Sequence, residues 1–320
     1  MTGSTGGDAR VGTDLAELLA HVADAFGLGG VAGWSVLSAG YEDRNLDLTT
    51  ERARVVVKIF ATGRAPGIAE RTADLITAAQ AAGVRHPRLH RDRDGALVHH
   101  HEGHPVLVMD FAAGHTLYDL GRAPTREELA RIVEQAVRIH AVEAHPEFVF
   151  DPWAITNLAP VAGRLRDVLD SEQRHHVARA LGESADIDRD ALPTTLIHAD
   201  LTKGNVLLAE DGTVSVLDFA VANRFPRVQE LAVIAANLTH GCPDPLPARV
   251  ETIADLYSAA APTPLTAAER DALRAFARAA AAMELLGALA PWHHHGNHNR
   301  ETKYLTGLGL AGLRDYAGLS

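Results

Sequence analysis

Residues 196–220 constrain this chain more than any other stretch. They open with Leu196-Ile197-His198-Ala199-Asp200 and continue as Leu201-Thr202-Lys203-Gly204-Asn205 into the apolar run Val206-Leu207-Leu208. Thirteen positions beyond Asn205 stands Asp218, in Val216-Leu217-Asp218-Phe219-Ala220. Residues 196–197, 206–208 and 214–217 are short, apolar and β-prone, and Asp211-Gly212 between the last two is a hairpin turn. A hairpin that leaves Asn205 and returns must set Asp218 beside it. Asp200 then lies on the loop that leads into the same hairpin.

The chemistry of these three side chains is that of phosphoryl transfer. It needs a carboxylate to orient an attacking hydroxyl, and oxygen ligands for the metal that neutralises the phosphates. An Asp-rich loop beside an ordinary hairpin would have some of the same letters. The specific signal is His-x-Asp-x-x-x-x-Asn between apolar strands, followed by Asp-Phe. This segment resembles the catalytic and metal-binding loops of the protein-kinase-like fold, in particular the branch containing aminoglycoside phosphotransferases, choline kinases, homoserine kinases and hydroxylysine kinases. The resemblance covers about residues 33–237. It implies that Asp200 orients the substrate hydroxyl and accepts its proton. It also implies that Asn205 and Asp218 hold Mg²⁺, that His198 braces the loop, and that the donor is ATP or GTP.

Other places carry the same resemblance. Val55-Val56-Val57-Lys58-Ile59-Phe60 is an apolar strand with a lysine near its end. One strand lysine contacts the nucleotide phosphates in this fold. Its expected partner is Glu70 at the start of the next helix, with Asp74 one turn later as the alternative. The segment from Ser38 to Asn45 includes Gly40, Glu42 and Asn45 and resembles the Gly-x-Glu-x-x-Asn phosphate loop of homoserine- and hydroxylysine-kinase-like enzymes. An acidic hairpin turn is the alternative on these residues alone. Residues 106–114 look like the family's hinge. Adenine would bond to backbone at Asp110 and Ala112, with Met109 lining its pocket. Glu230 stands at the acidic position of the family's Pro-x-x-x-Asp-Leu-Ala segment, where the role is structural.

The sequence also departs from the family pattern. Ala220 stands where glycine often follows Asp-Phe, and alanine resists φ > 0. Lys203 is three positions after Asp200, against two in protein kinases, which leaves a γ-phosphate role without support. No Ala-Pro-Glu segment and no activation loop of usual length follows Asp218, which weighs against a protein substrate. Retention of Asp200, Asn205, Asp218 and Lys58 together weighs against a nucleotide-binding pseudokinase. Two histidine runs, His99 to His101 with His104 and His293 to His295 with His298, are metal candidates or plain solvated loops. The second lies beside Trp292 and Asn297, where the family builds its acceptor pocket.

Composition narrows the partners. The chain has 320 residues and a formal net charge of −11, from 41 acidic and 30 basic residues. That balance argues against nucleic acid, which needs a basic face, and suits a cationic acceptor. One cysteine, Cys242, cannot form an intramolecular disulfide, so a reducing, cytoplasmic setting is expected. Residues 1–11 lack the apolar run of a signal peptide. Arg278 and Glu284 interrupt the most apolar stretch, residues 275–292, which argues for a buried core helix and not a membrane span.

The fold expected is α+β and two-lobed. Residues 1–110 form a nucleotide-binding N-lobe of antiparallel sheet plus helix. Residues 111–320 form a mostly helical C-lobe with the catalytic loop, the metal site and the acceptor pocket. A helix over 14–26, with Asp14 and Glu17 spaced as a capping box, precedes the sheet. The helical period of Leu129, Ile132, Val133, Ala136 and Ile139 marks another helix over 125–142. The reaction expected is transfer of the γ-phosphate to a hydroxyl of a small molecule.

Overall fold

The computed structural model describes residues 6–37, 43–295 and 300–316, and the side chains of 15–37, 43–290 and 302–316. By its internal contacts the chain divides into two compact units. The first comprises Met1–Thr77 and His86–Ala113, and the second Ala78–Arg85 and Gly114–Ser320.

The first unit begins with helix α1 (Gly6–Ala25) and strands β1 (Val31–Val36), β2 (Arg44–Thr50) and β3 (Arg54–Ile59). Helix α2 (Ile68–Ala81) and strands β4 (Val98–His101) and β5 (His104–Asp110) follow. The five strands form one antiparallel sheet in the order β1-β2-β3-β5-β4. Alternation along β3 sends Val55, Val57 and Ile59 into a core with Leu46, Leu48, Val106 and Val108. Leu19 and Val22 of α1, with Phe26 just after it, cover that core. Lys58, out of phase with those three, belongs to the other face. Because α1 starts at Gly6, Asp14 lies inside it and is not an N-cap as the spacing had implied. α2 ends at Ala81, and Gly83 just beyond it has a left-handed φ of 84°.

The boundary after Ala113 falls three residues past the expected one, and residues 78–85 join the second unit. Hydrogen bonds give the reason. The Arg85 N–H donates to the Gln135 side chain at 2.8 Å, and the Val216 N–H donates to the Arg85 carbonyl at 2.8 Å. Gly114 opens the long second segment with φ of 140°. A Cβ there would lie 2.4 Å from the Leu208 carbonyl oxygen, so only glycine fits.

The second unit continues with β6 (His115–Thr116), α3 (Leu117–Leu120), α4 (Arg126–His140), α5 (Leu158–Leu165) and α6 (Ser171–Ala185). Strands β7 (Thr194–Ile197), β8 (Val206–Leu208), β9 (Val214–Val216) and β10 (Asn223–Pro226) come next. Helices α7 (Val228–Val233), α8 (Leu246–Ala260), α9 (Ala267–His295) and α10 (Arg300–Arg314) complete it. α4 begins at a capping box made by Thr125 and Glu128. Its apolar residues Leu129, Ile132, Val133, Ala136 and Ile139 are all buried, as their period requires.

α9 is the long apolar helix, and it sits in the core of the second unit. α10 packs on it so closely that a Cβ at Gly309 would meet the Leu285 nitrogen at 2.4 Å. The two charges that interrupt its apolar stretch are both accommodated. Arg278 pairs with Glu183 and lies over the Tyr316 ring at 4.0 Å, and Glu284 accepts a hydrogen bond from Asn237 at 2.7 Å. Among the described residues no helix is long and apolar enough to cross a membrane.

Candidate active site

β8 and β9 pair in register, Val206 against Val216, and the Leu217 N–H donates to the Asn205 carbonyl at 2.9 Å. That bond extends the ladder by one step and leaves Asp218 next to Asn205. The Asn205 amide nitrogen donates to Asp200 twice, at 2.6 Å to Oδ2 and at 3.0 Å to its carbonyl. The hairpin thus brings together all three residues the sequence singled out. With its nitrogen committed to Asp200, the Asn205 side chain has its oxygen turned to other partners and could hold a cation through it.

His198 is fully buried and holds the loop at two points. Its Nε2 donates to the Leu217 carbonyl at 2.9 Å, and its Nδ1 accepts the Asp200 N–H at 3.2 Å. These contacts call for one neutral tautomer, and the ring meets Phe219 edge-on at 4.7 Å. Glu230 clasps the loop from behind, accepting the N–H groups of His198 and Ala199. This is a tighter role than the helix support expected of it. Burial pushes the Glu230 carboxyl up to about 7, against the backbone donors that favour its charge.

Strain concentrates here. Ala199 and Asp218 have φ of 69° and 62°, in the left-handed region that non-glycine residues avoid. Asp218, and not Ala220, bears the unusual backbone, so alanine is tolerated at position 220. The Ala220 N–H instead donates to the Asp218 carboxylate at 3.1 Å.

The electrostatics of the loop are strongly acidic. Burial, followed by the carboxylates of Asp151, Asp218 and Glu284, holds Asp200 well above the usual carboxylate range, with a Thr202 hydrogen bond opposing. Glu284, inside α9, is itself raised to about 7 by burial. Sequence reasoning named neither Asp151 nor Glu284 as site residues. Asp151 precedes Trp153 in an irregular stretch, and Glu284 reads as an interruption of a helix. Neither has a local signal, because only tertiary packing brings their charge near Asp200. The donor set of Asp200, Asn205 and Asp218 is all oxygen and excessively negative, which fits a hard divalent cation. Among the described residues no three His, Cys, Asp or Glu side chains form a self-sufficient metal cage. A cation held by Asn205 and Asp218 would therefore complete its shell with phosphate oxygens and water.

In the first unit Lys58 is buried at the expected place on β3, but its acid differs from the expected one. Lys58 Nζ lies 3.1 Å from Asp43 Oδ2, whereas Glu70 is 2.8 Å from His100 Nε2. The sheet decides this. Asn45 is the register partner of Lys58, so the start of β2 delivers Asp43 to the lysine. His100 projects from β4 to the same side as α2 and takes Glu70. Asp74, the alternative, is likewise not on Lys58. Gly40 falls outside the described residues. Met109 is buried opposite Val56. The Asp110 N–H donates to the Arg88 carbonyl at 2.9 Å, and its carboxylate takes His90 at 2.6 Å. Asp110 can therefore offer a base only its carbonyl, while Ala112 lies in the coil just after β5.

The structure also places Lys203 and the first histidine run. Lys203 Nζ donates to the His240 carbonyl at 2.7 Å and is buried, so it is a structural tie. The first histidine run is split by strand alternation. His99 meets Asp92 at 3.1 Å and His101 stacks on His21 at 3.9 Å, while His100 points the other way to Glu70. The side chains of the second run, His293 to His298, fall outside the described residues, as do those of Trp292 and Asn297.

Comparison with known proteins places the chain among phosphotransferases. A match to the phosphotransferase enzyme family spans residues 33–276. The chain is 28% identical over 289 residues to a homoserine kinase of Methylocella silvestris, covering 87% of this chain and 85% of the relative. A homoserine kinase of Methylobacillus flagellatus is 26% identical over 262 residues, covering 80% and 79%. A third, from Rhodopseudomonas palustris strain BisB5, is 25% identical over 212 residues, covering 65% of this chain and 64% of that relative. Among solved structures, amicoumacin kinase bound to AMP-PNP and Ca²⁺ superposes with a TM-score of 0.69 at 13% identity, covering 97% of this chain and 96% of that one. Spectinomycin phosphotransferase bound to ADP and spectinomycin gives 0.67 at 11% identity, covering 94% and 98%. A choline/ethanolamine kinase family protein from Mesorhizobium loti gives 0.64 at 18%, covering 93% and 98%. The fold is thus the two-part, protein-kinase-like α+β fold.

Proposed function

The chain belongs to the phosphotransferase enzyme family, and on that premise we propose that it moves the γ-phosphate of ATP or GTP onto a hydroxyl of a small molecule that also carries an amine. The observation that carries this reading is the placement of Asp200, Asn205 and Asp218 on one loop and hairpin, with Asn205 hydrogen-bonded to Asp200. Asn205 holds one carboxylate oxygen of Asp200, which turns the other toward the acceptor O–H and takes its proton during attack. Burial, followed by the surrounding acids, raises the basicity of Asp200, which suits it to that task. Asn205 and Asp218 would hold Mg²⁺, which when bound neutralises charge on the transferring phosphates. Lys58, kept extended by Asp43, meets the phosphates that remain with the donor.

The amine follows from the charge around Asp200. Glu284 is nine-tenths buried and accepts a hydrogen bond from the neutral amide of Asn237. With Asp151, it adds to the negative charge around Asp200. An ammonium on the acceptor would compensate that charge. Homoserine, the acceptor in the names of the curated relatives, is one amino alcohol that meets the requirement.

Release of ADP from a panel of hydroxyl acceptors, each tested with its amine free and N-acetylated, checks this. Free amines are expected to win through KM more than through kcat, because the ion pair contributes uniform binding. A preferred acceptor that is neutral or anionic would remove the amine from the proposal and leave the phosphotransfer. Glu284→Gln adds a second readout. Its raised carboxyl favours the folded protein when protonated, and that contribution is complete below about 4.5 and lost as pH rises through about 7. Glu284→Gln should therefore raise stability at pH 8 by up to about 3 kcal/mol and change it little in acid. It should raise KM for the amine acceptor at the same pH. A variant destabilised at pH 8, or one with an unaltered acceptor KM, contradicts the assignment.

Lys58→Met keeps the stem and removes the charge. A fall in kcat/KM for ATP of at least about 10-fold is expected, the worth of a charge-assisted contact. Normal use of ATP by the folded variant would make Lys58 an ordinary strand residue.

A further inference from the structure

Asn237 stands in the π-helical turn Ile234–Leu238, which continues α7. It is buried, and its side-chain amide bonds in two directions. Oδ1 accepts the Lys203 backbone N–H at 3.0 Å, and Nδ2 donates to Glu284 Oε1 at 2.7 Å. A backbone N–H can only donate, so it must meet the amide oxygen, and the amide nitrogen is left for Glu284. Lys203 is itself held at two further points. Its carbonyl accepts the Tyr118 N–H at 3.1 Å, and its Nζ donates to the His240 carbonyl at 2.7 Å. One amide thus ties the loop, three residues past Asp200, to the acid of α9 that adds its charge to Asp200. The same bond acts on the charge of Glu284. Burial pushes the Glu284 carboxyl up to about 7, and the Asn237 hydrogen bond opposes that rise. Because Nδ2 donates to Oε1, a proton on Glu284 must sit on Oε2. Other titratable groups lie close by and leave this balance in place. Asp200, on the catalytic loop, is itself held above the usual carboxylate range, by burial first. Tyr304 of α10 is pushed up to about 12, by burial and then by Glu284, and stays neutral. Burial lowers His240, whose ring meets Tyr304 at 6.1 Å, and the Lys203 ammonium is turned to the His240 carbonyl.

We propose that Asn237 is the positioning residue of the acceptor subsite: it holds the Glu284 carboxylate to the loop that carries Asp200 and presents Oε2 to the ammonium of the acceptor. The inference rests on the reading of Glu284 as the partner of that amine. Through Asn237 the amine site and the base belong to one hydrogen-bonded unit, so the bridge fixes the distance between them. Acceptors whose amine and hydroxyl match that distance gain both contacts at once. Removing the amide has two effects of the same sign. Glu284 loses its tie to the loop, and it keeps its proton to higher pH, where a neutral acid offers an ammonium no charge. In this arrangement Asn237 acts through Glu284 and meets no reacting atom.

The test compares kcat/KM for an acceptor with its amine free and with the same amine acetylated, across pH, on the full chain. The probe pair is homoserine, or the amino alcohol that the acceptor panel prefers to it, and the N-acetyl form of the same compound. Asn237→Leu should lower the ratio of free to acetylated kcat/KM by about 10-fold at about pH 7, through KM for the free amine. The ratio should recover as pH is raised to about 8.5 and Glu284 ionises. A scaffold role would instead lower both acceptors alike, and pH would not restore them. An unchanged ratio in folded Asn237→Leu, or a parallel loss that no pH restores, overturns the proposal. Should that variant fail to fold, Asn237→Asp decides. It keeps an oxygen for the Lys203 N–H, which favours charge on the new acid, so the proton that the two acids share is left on Glu284. The preference for the free amine should collapse in it, and a retained preference overturns the proposal. Glu284→Gln separates the two kinds of failure. If the wild type shows no preference for the amine, or Glu284→Gln keeps it, the amine reading falls and this inference with it. If only the Asn237 variants keep the preference, that reading stands without Asn237.

Discussion

Asp218→Ala is expected to abolish turnover and to remove the Mg²⁺ dependence of nucleotide binding. The carboxylate is the charged member of the pair that would hold the metal, and Asn205 supplies only a neutral oxygen. Asn205→Ala should accordingly act in the same direction but less severely on metal binding. It should also loosen Asp200, whose Oδ2 it holds at 2.6 Å. The backbone sharpens the comparison. Asp218 sits at φ of 62°, so alanine there must bear the same left-handed conformation without a side chain that bonds the Ala220 N–H. Asp218→Asn keeps a hydrogen-bonding side chain of the same size and tolerates that φ, which separates the metal effect from the conformational one. Mg²⁺ titrations of ATP binding, and turnover with EDTA, provide the measurement. A reaction that EDTA does not stop, or an Asp218→Asn enzyme with normal Mg²⁺ affinity, would sink the metal assignment.

Asp200→Ala should leave nucleotide binding intact and lower kcat by about 10²–10⁴, the usual worth of a positioned acid–base group. The fold should survive, and by one argument gain. Burial and three neighbouring carboxylates hold Asp200 well above its usual range, so its ionised form is a cost to the folded state at neutral pH. Asp200→Asn should relieve that cost, so its melting temperature is expected to exceed that of the wild type at pH 8. The gain should shrink as pH falls, because protonated Asp200 carries no such penalty. A folded Asp200→Asn enzyme with near-wild-type turnover would remove Asp200 from the mechanism. A melting temperature lowered at pH 8 would contradict the electrostatic account while leaving the kinetic one standing.

Much of the catalytic centre was legible because it is local. Asp200, Asn205 and Asp218 lie on one loop and one hairpin, and the register of a two-stranded turn is set by the turn itself. The same holds for α4, whose capping box and apolar period are both short-range signals. Lys58 was legible by its place near the end of an apolar strand. The partner of Lys58 was not, because two acids at different sequence distances compete for it. The β2–β3 register settles that contest by placing Asn45 opposite Lys58 and Asp43 just beyond. The capping box read at Asp14 failed for a related reason. Its spacing is a weak local cue that α1, which begins at Gly6, passes straight through.

What the amino-acid sequence determined by itself was the reaction class, the loop and hairpin that bring Asp200, Asn205 and Asp218 together, and the order of strands and helices. Each of these depends on neighbours a few residues apart, where turn chemistry and alternation leave little choice. Only the tertiary structure decided the electrostatic setting in which the trio works. Glu284 reaches Asp200 because α9 is buried in the second unit, and Asp43 reaches Lys58 because β2 pairs with β3. Glu230 reaches the His198 and Ala199 N–H groups because α7 packs behind the loop. These are contacts between residues some 15 to 84 positions apart. Their energies depend on burial and on charges brought together by packing, which no stretch of sequence encodes alone.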